Sequence, residues 1–249
     1  MSLMRNLRAL IATPIYYLAF VAITVFCGAI LLFSFWSYGA VKKMVYLWSA
    51  VLLWVLRYVC GIKYHCEFET TLDPSKAVIY LSKHQSSWET IAYNVFFDTP
   101  VFVAKAQLKK IPIFGWGLGK MHTIFIDRSA GISAYKKVIQ QGKKLIQSGL
   151  SIMLFPEGTR VAPGEHPMFH RTGVALAQSI GADIIPLAVN AGVCWPKKSF
   201  LIRSGTITVK VGAPIASKGL KVNELNQQVY DWIKHQMSQL EQVHKAHHP

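Results

Sequence analysis

Apolar positions are arranged along this chain in two different ways. Residues 9–41 form 33 consecutive positions without a formal charge, whereas a bilayer-spanning helix needs only about 20. The run is therefore long enough to cross once, or to turn back as a re-entrant pair of helices. A second apolar stretch, residues 44–56, lies between Lys43 and Arg57. At 13 residues it is too short to cross as a straight helix, so it is expected to lie in the interface. Tyr46, Trp48, Trp54 and Tyr58 suit a headgroup boundary, where an aromatic ring keeps one edge wet. Two other readings fit the same pattern. Arg5 and Arg8 resemble the basic start of a signal peptide, although its apolar region would run only about 7–15 residues. Alternatively, the two runs are buried helices of a soluble domain.

From residue 61 onward, short β-branched runs alternate with helical periodicity, the signature of an α/β domain. Strands are expected at residues 64–69, 77–82, 101–105, 123–127, 151–155, 183–190 and 206–211. Helices are expected at residues 88–97, 132–147 and 174–180. A closing amphipathic helix follows, because Val222, Leu225, Val229, Trp232 and Ile233 recur at helical spacing. The fold class is α/β: a mixed, largely buried sheet flanked by helices and preceded by an apolar helical anchor. Residues 1–60 are expected to form the membrane-associating part and residues 61–249 a separate α/β domain.

Composition sharpens this picture in two respects. Charged residues make up only 16% of the chain, against roughly 25% in ordinary soluble domains, and residues 1–60 contain no Asp or Glu. The five basic residues there leave +10 of the formal +15 to residues 61–249, so the domain itself is expected to meet anionic partners. No zinc-finger spacing, Arg-rich arm or aromatic ribonucleoprotein motif accompanies the charge, which argues against nucleic acid. Anionic lipid headgroups, phosphorylated substrates and acidic acyl carriers fit better beside so apolar a leader. Cys27, Cys60, Cys66 and Cys194 have no paired spacing and no adjacent His set, so they are read as reduced packing residues without a metal.

Two short blocks carry the chemistry. The first is Lys83-His84-Gln85-Ser86-Ser87-Trp88-Glu89-Thr90, just beyond an expected strand, where α/β sheets bind ligands. Five residues on a continuous helix rotate a side chain by about 140°, so His84 and Glu89 meet only if the chain turns between them. A turn at Ser86 or Ser87 would allow it. Glu89 would then orient His84 as a general base. The same letters match the capping box, in which Glu89 merely reaches back to a backbone N–H, and the sequence leaves both uses open. The second block is Phe155-Pro156-Glu157-Gly158-Thr159-Arg160. Gly158 lets a ligand approach the backbone, Thr159 offers a hydroxyl, and Arg160 a fork for phosphate oxygens. Glu157 would hold that Arg or bind a glycerol hydroxyl. A plain surface turn is the alternative. Lys105 and Arg128 close two expected strands at the same edge. Gly115 to Lys120 fails the Walker spacing, and no G-x-S-x-G elbow is present, which argues against ATP binding and a serine nucleophile.

Taken together, these blocks resemble the glycerolipid acyltransferase family, and within it the bacterial 1-acyl-sn-glycerol-3-phosphate acyltransferases. Four segments match in order: His84 to Glu89; Lys105 through Gly115 to Arg128; Phe155 to Arg160; and Ile185-Pro186-Leu187, the last read as core or acyl-chain wall. The resemblance implies a catalytic dyad of His84 and Glu89. It implies an acceptor site of Lys105, Arg128, Glu157, Gly158, Thr159 and Arg160. Where the family usually has Asp, this chain has Glu89, whose extra methylene requires a different backbone setting. The activity implied is transfer of a fatty acyl group from acyl-CoA or acyl-acyl carrier protein to the sn-2 hydroxyl of lysophosphatidic acid, with no metal or redox cofactor. The location implied is a bacterial inner membrane, with the domain facing the cytoplasm. The alternatives are another acceptor, such as glycerol 3-phosphate, another lysophospholipid or a lyso-ornithine lipid, and a non-catalytic binder of anionic lipid.

Overall fold

The computed structural model describes residues 2–32, 37–127 and 130–247. Among them, β1 (Ile62–Phe68), β2 (Ile79–Ser82), β3 (Val101–Lys105), β4 (Ile124–Ile126), β5 (Ile152–Leu154), β6 (Ile184–Val189) and β7 (Gly205–Val211) form one sheet, in the order β1-β7-β6-β2-β5-β3-β4. Every neighbouring pair is parallel except β6 with β7, so the sheet is mixed.

The central strands β2, β5 and β6 are buried at every position and almost wholly apolar, because both faces are covered. Tyr80, Met153 and Ile185 pack on one side against α1 (Ser2–Leu32), α2 (Tyr38–Tyr58) and α3 (Trp88–Phe96). Their neighbours Ile79, Ile152 and Ile184 face the other way, onto α5 (Ile132–Gln147), α6 (Thr172–Ile180) and α7 (Val222–His247). Each large aliphatic side chain so removed from water contributes about 1.5–3 kcal/mol.

The N-terminal helices carry apolar side chains on their packed and on their outward faces. Ala9, Ala12, Thr13 and Tyr16 are buried against the domain, at the spacing of one helical face. Leu10, Ile11, Leu18, Val25 and Phe26 point outward and are exposed. Both helices are long and apolar enough to cross a membrane.

One expectation is corrected here. The second apolar stretch is not a separate 13-residue piece: α2 is 21 residues long and runs through Lys42 and Lys43. The two charges do not break it because Lys42 pairs with Asp98 at 2.6 Å and Lys43 is exposed.

A second departure is α4 (Phe114–Lys120), where the glycine-rich segment forms a helix. A Cβ on Gly115 would lie 2.4 Å from the Lys109 carbonyl oxygen, so only glycine lets the two segments approach. Just before α4, Ile113 is seated over Gly28 of α1, where a Cβ would come within 1.8 Å of the Ile113 side chain. The first helix is thereby keyed to the domain.

Candidate active site

Strand register brings the two sequence blocks together. Leu81 of β2 pairs with Leu154 of β5, and the two parallel chains leave the sheet side by side. Three residues further along each, the His84 N–H donates to Glu157 Oε2 at 2.8 Å. The Val161 N–H donates to the His84 carbonyl, also at 2.8 Å. The backbone of His84 is thus held on its N–H by Glu157 of the second block and on its carbonyl by Val161, the residue that follows that block.

The imidazole is equally constrained. Its Nδ1 lies 3.1 Å from Glu89 Oε2, and its ring stacks on Phe155 with centroids 3.9 Å apart and planes at 19°. An ionised carboxylate only accepts, so Nδ1 carries the ring proton and Nε2 keeps its lone pair. Glu89 is fully buried and accepts the Gln85 N–H at 3.1 Å and the Ser86 N–H at 2.9 Å. Ser86 Oγ in turn accepts the Trp88 N–H at 3.2 Å. The carboxylate's reach back to the backbone and its histidine contact therefore coexist: one oxygen pair holds the turn before α3 and fixes the ring. His84 precedes the helix, which is how a five-residue spacing brings the two groups together.

His84 retains a side-chain exposure of 13%, and it lines a cavity of about 470 Å³. Lys105, Thr159, Arg160 and Lys197 line the same cavity. Arg160 Nη1 donates to Ser87 Oγ at 2.9 Å, and Lys197 Nζ donates to Thr159 Oγ1 at 3.1 Å. The rest of the wall is mostly apolar and comes largely from the N-terminal helices and α4, including Cys27, Met44, Trp48, Phe114 and Leu118. A polar end bearing a base and two cations, Arg160 and Lys197, is thus continuous with an apolar hollow, and Lys105 lines the same cavity.

The remaining expected residues are placed differently. Glu157 does not line this cavity. Its buried carboxylate pairs with the buried Lys83 at 2.6 Å, and it does not hold Arg160. Burial pushes the Glu157 carboxyl up to about 7, with Lys83 and the His84 amide pulling the other way. Gly158 sits at φ +69°, a conformation that favours glycine, and a Cβ there would meet the His170 ring at 3.2 Å. Pro186 lies in the fully buried strand β6 and belongs to the core. Arg128 lies outside the described residues.

Lys83 and Lys197 are the residues that sequence reasoning missed. Nothing in the Trp195-Pro196-Lys197-Lys198 segment signals a role. For Lys83, the only clue is its place between a buried strand and His84. Among the described residues, no three His, Cys, Asp or Glu side chains converge on a possible metal position.

Residues 63–190 match the Acyltransferase family. The chain is 36% identical over 206 residues to a 1-acyl-sn-glycerol-3-phosphate acyltransferase of Pseudomonas aeruginosa, covering 81% of this chain and 80% of that protein. The chain belongs to the acyltransferase family. A 1-acyl-sn-glycerol-3-phosphate acyltransferase of Limnanthes alba is 30% identical over 172 residues, 68% of this chain and 59% of the plant protein. The fold is shared with the crystal structure of the 1-acyl-sn-glycerophosphate (LPA) acyltransferase PlsC from Thermotoga maritima, with a TM-score of 0.81 and 23% identity over 95% of this chain and 98% of that one. The segment matched to the acyltransferase family takes in β2 through β6 and ends at Asn190, so Lys197 lies beyond it.

Proposed function

We propose that this acyltransferase moves a fatty acyl group from an acyl thioester, acyl-CoA or acyl-acyl carrier protein, to the sn-2 hydroxyl of lysophosphatidic acid. The products are phosphatidic acid and the free thiol. The observation that carries this reading is the single cavity shared by His84, locked by Glu89, and by Lys105, Arg160 and Lys197. A base and a phosphate grip then act on one acceptor molecule. The names of the relatives support the choice of acceptor.

In this mechanism His84 Nε2 removes the proton from the acceptor hydroxyl as its oxygen attacks the thioester carbonyl. Glu89 stabilises the imidazolium that forms and keeps the proton on Nδ1 from migrating. Collapse of the tetrahedral intermediate breaks the C–S bond, and the imidazolium returns its proton to the departing thiolate. General-base assistance of this kind is worth about 10²–10⁴ in rate. No step requires a metal or redox cofactor.

The phosphate of the acceptor is assigned to Arg160 and Lys197, with Lys105 on the same wall. Its acyl tail is assigned to the hollow between α1, α2 and α4. That arrangement suits α1 and α2 placed in the bilayer, with the domain at the cytoplasmic surface. The test is a labelled-acyl assay on purified protein with lysophosphatidic acid and each donor type. Formation of phosphatidic acid that depends on His84 is the expected result. Transfer to glycerol 3-phosphate or to an uncharged lysolipid at equal efficiency would reassign the acceptor.

A further inference from the structure

Lys83 is among the largest fully buried side chains of the molecule, with an exposure of 1%. A buried ammonium is retained only where it is paired and hydrogen-bonded. Its Nζ lies 2.6 Å from Glu157 Oε1 and 2.5 Å from the Glu165 carbonyl oxygen, to which it donates. The other oxygen of Glu157 accepts the His84 N–H at 2.8 Å. One ammonium therefore grips both ends of the loop 157–165, on which Thr159 and Arg160 are carried, and the same carboxylate pins the main chain of the proposed base.

We infer that Lys83 is a positioning residue for acyl transfer, holding Glu157 and the loop 157–165 so that His84 and Arg160 face the same substrate. It touches neither substrate nor the reacting ring. The inference rests on the reading of His84 as the base and adds a residue whose side chain lies outside the cavity.

The loop has other tethers, including Val161 N–H to the His84 carbonyl and Arg160 to Ser87 Oγ, so what Lys83 alone supplies is the cation for Glu157. The Gly164 N–H donates to Glu241 Oε1 at 3.0 Å, and Tyr230 donates to the His166 carbonyl at 2.9 Å, both from α7. These hold the far end of the loop against the opposite face of the sheet. Among the described residues, only Lys83 and His84 link Glu157 to the first block. Removing the ammonium leaves a buried carboxylate without a cation. The charged and titratable groups nearby are then His84 and Glu89 on the first block and α3, His170 beside Gly158, and, around the Lys83 ammonium, His166 with Glu241 and Lys234 of α7. That carboxylate would keep its place while protonated and lose it when ionised, since an unpaired buried charge is expelled or neutralised.

The experiment compares Lys83→Met, Glu157→Gln and the double variant across pH 6 to 9, in detergent, with lysophosphatidic acid as acceptor. Lys83→Met is expected to retain most activity near pH 6. It is expected to fall by about tenfold per pH unit in the alkaline range, where the stranded carboxyl ionises. The acceptor KM should rise along with the loss of kcat. The double variant carries a neutral pair of similar shape, so the alkaline loss should disappear and kcat/KM recover several-fold over the single variant at pH 9. A Lys83→Met profile parallel to that of the unsubstituted enzyme would overturn the inference, as would a folded double variant no better than the single at pH 9. If Lys83→Met does not fold, the double variant decides alone: folded and active, it supports the pairing; folded and inert, it overturns it. His84→Ala is assayed alongside. Activity surviving in that variant sinks the base reading. An inert His84→Ala beside a pH-independent Lys83→Met sinks only the role of Lys83.

Discussion

Lys197 Nζ donates to Thr159 Oγ1 at 3.1 Å, across 38 residues of chain. This contact places a second cation beside Arg160, at the polar end of the cavity. Lys197→Ala is expected to raise the acceptor KM by about ten- to a hundredfold, the scale of one charge-assisted hydrogen bond. kcat should change little. Steady-state kinetics with lysophosphatidic acid check this, and an unchanged KM would remove Lys197 from the phosphate site.

His84→Ala removes the proposed base while leaving its backbone contacts to Glu157 and Val161 available. Turnover should drop by about 10²–10⁴ with the melting temperature little altered. Initial rates near those of the unsubstituted enzyme would end the mechanism.

Glu89→Gln tests whether the carboxylate does more than close a helix. The amide retains an oxygen for the Ser86 N–H but can turn its NH₂ toward Nδ1 and favour the wrong ring tautomer. kcat should fall by at least about a hundredfold, with acceptor KM nearly constant. A variant that loses stability but keeps kcat would reduce Glu89 to a cap.

The carboxyl of Glu157, raised by burial from its ordinary 4.5 to about 7, couples stability to pH. Between those values the folded chain keeps a proton that the unfolded chain has released. Its stabilising contribution is complete below pH 4.5 and is lost as pH rises through 7. Glu157→Gln should flatten the thermal melting curve against pH in that window, which differential scanning in detergent would measure. A slope identical to that of the parent would place the titrating group elsewhere.

Gly28→Val should destabilise the protein by about 1–3 kcal/mol, because the new side chain meets Ile113 in a closely packed contact. Pairing it with Ile113→Ala should recover part of the loss. Melting of the two variants is the measurement, and additive losses would show that the helices are not keyed there.

Much of the fold was readable from the chain, because strands buried on both faces announce themselves as uninterrupted apolar runs. Val101–Lys105 and Ile132–Gln147 fall on their expected bounds. The helix at Phe114–Lys120 was hidden by its three glycines, whose helix propensity is low; of these, Gly115 is required by the close approach of the Lys109 backbone. Lys42 and Lys43 marked a false boundary in α2, since neither one's charge ends up in an apolar setting without a partner or water. Within the site, His84, Glu89 and Arg160 carried recognisable spacing. Glu157 did not disclose that it faces inward, because a carboxylate in a turn reads as exposed until its cation, Lys83, is located in space. Lys197 reaches the cavity through tertiary packing alone.

The hollow beside His84 owes Cys27, Gly28 and Leu31 to α1 and Met44, Val45 and Trp48 to α2. Trimming the leader to obtain a water-soluble catalyst would therefore open the chamber to water as well as discard an anchor. With the acceptor's tail in that hollow, as proposed, a surfactant with an alkyl tail would compete for it, and the choice of micelle becomes a kinetic variable.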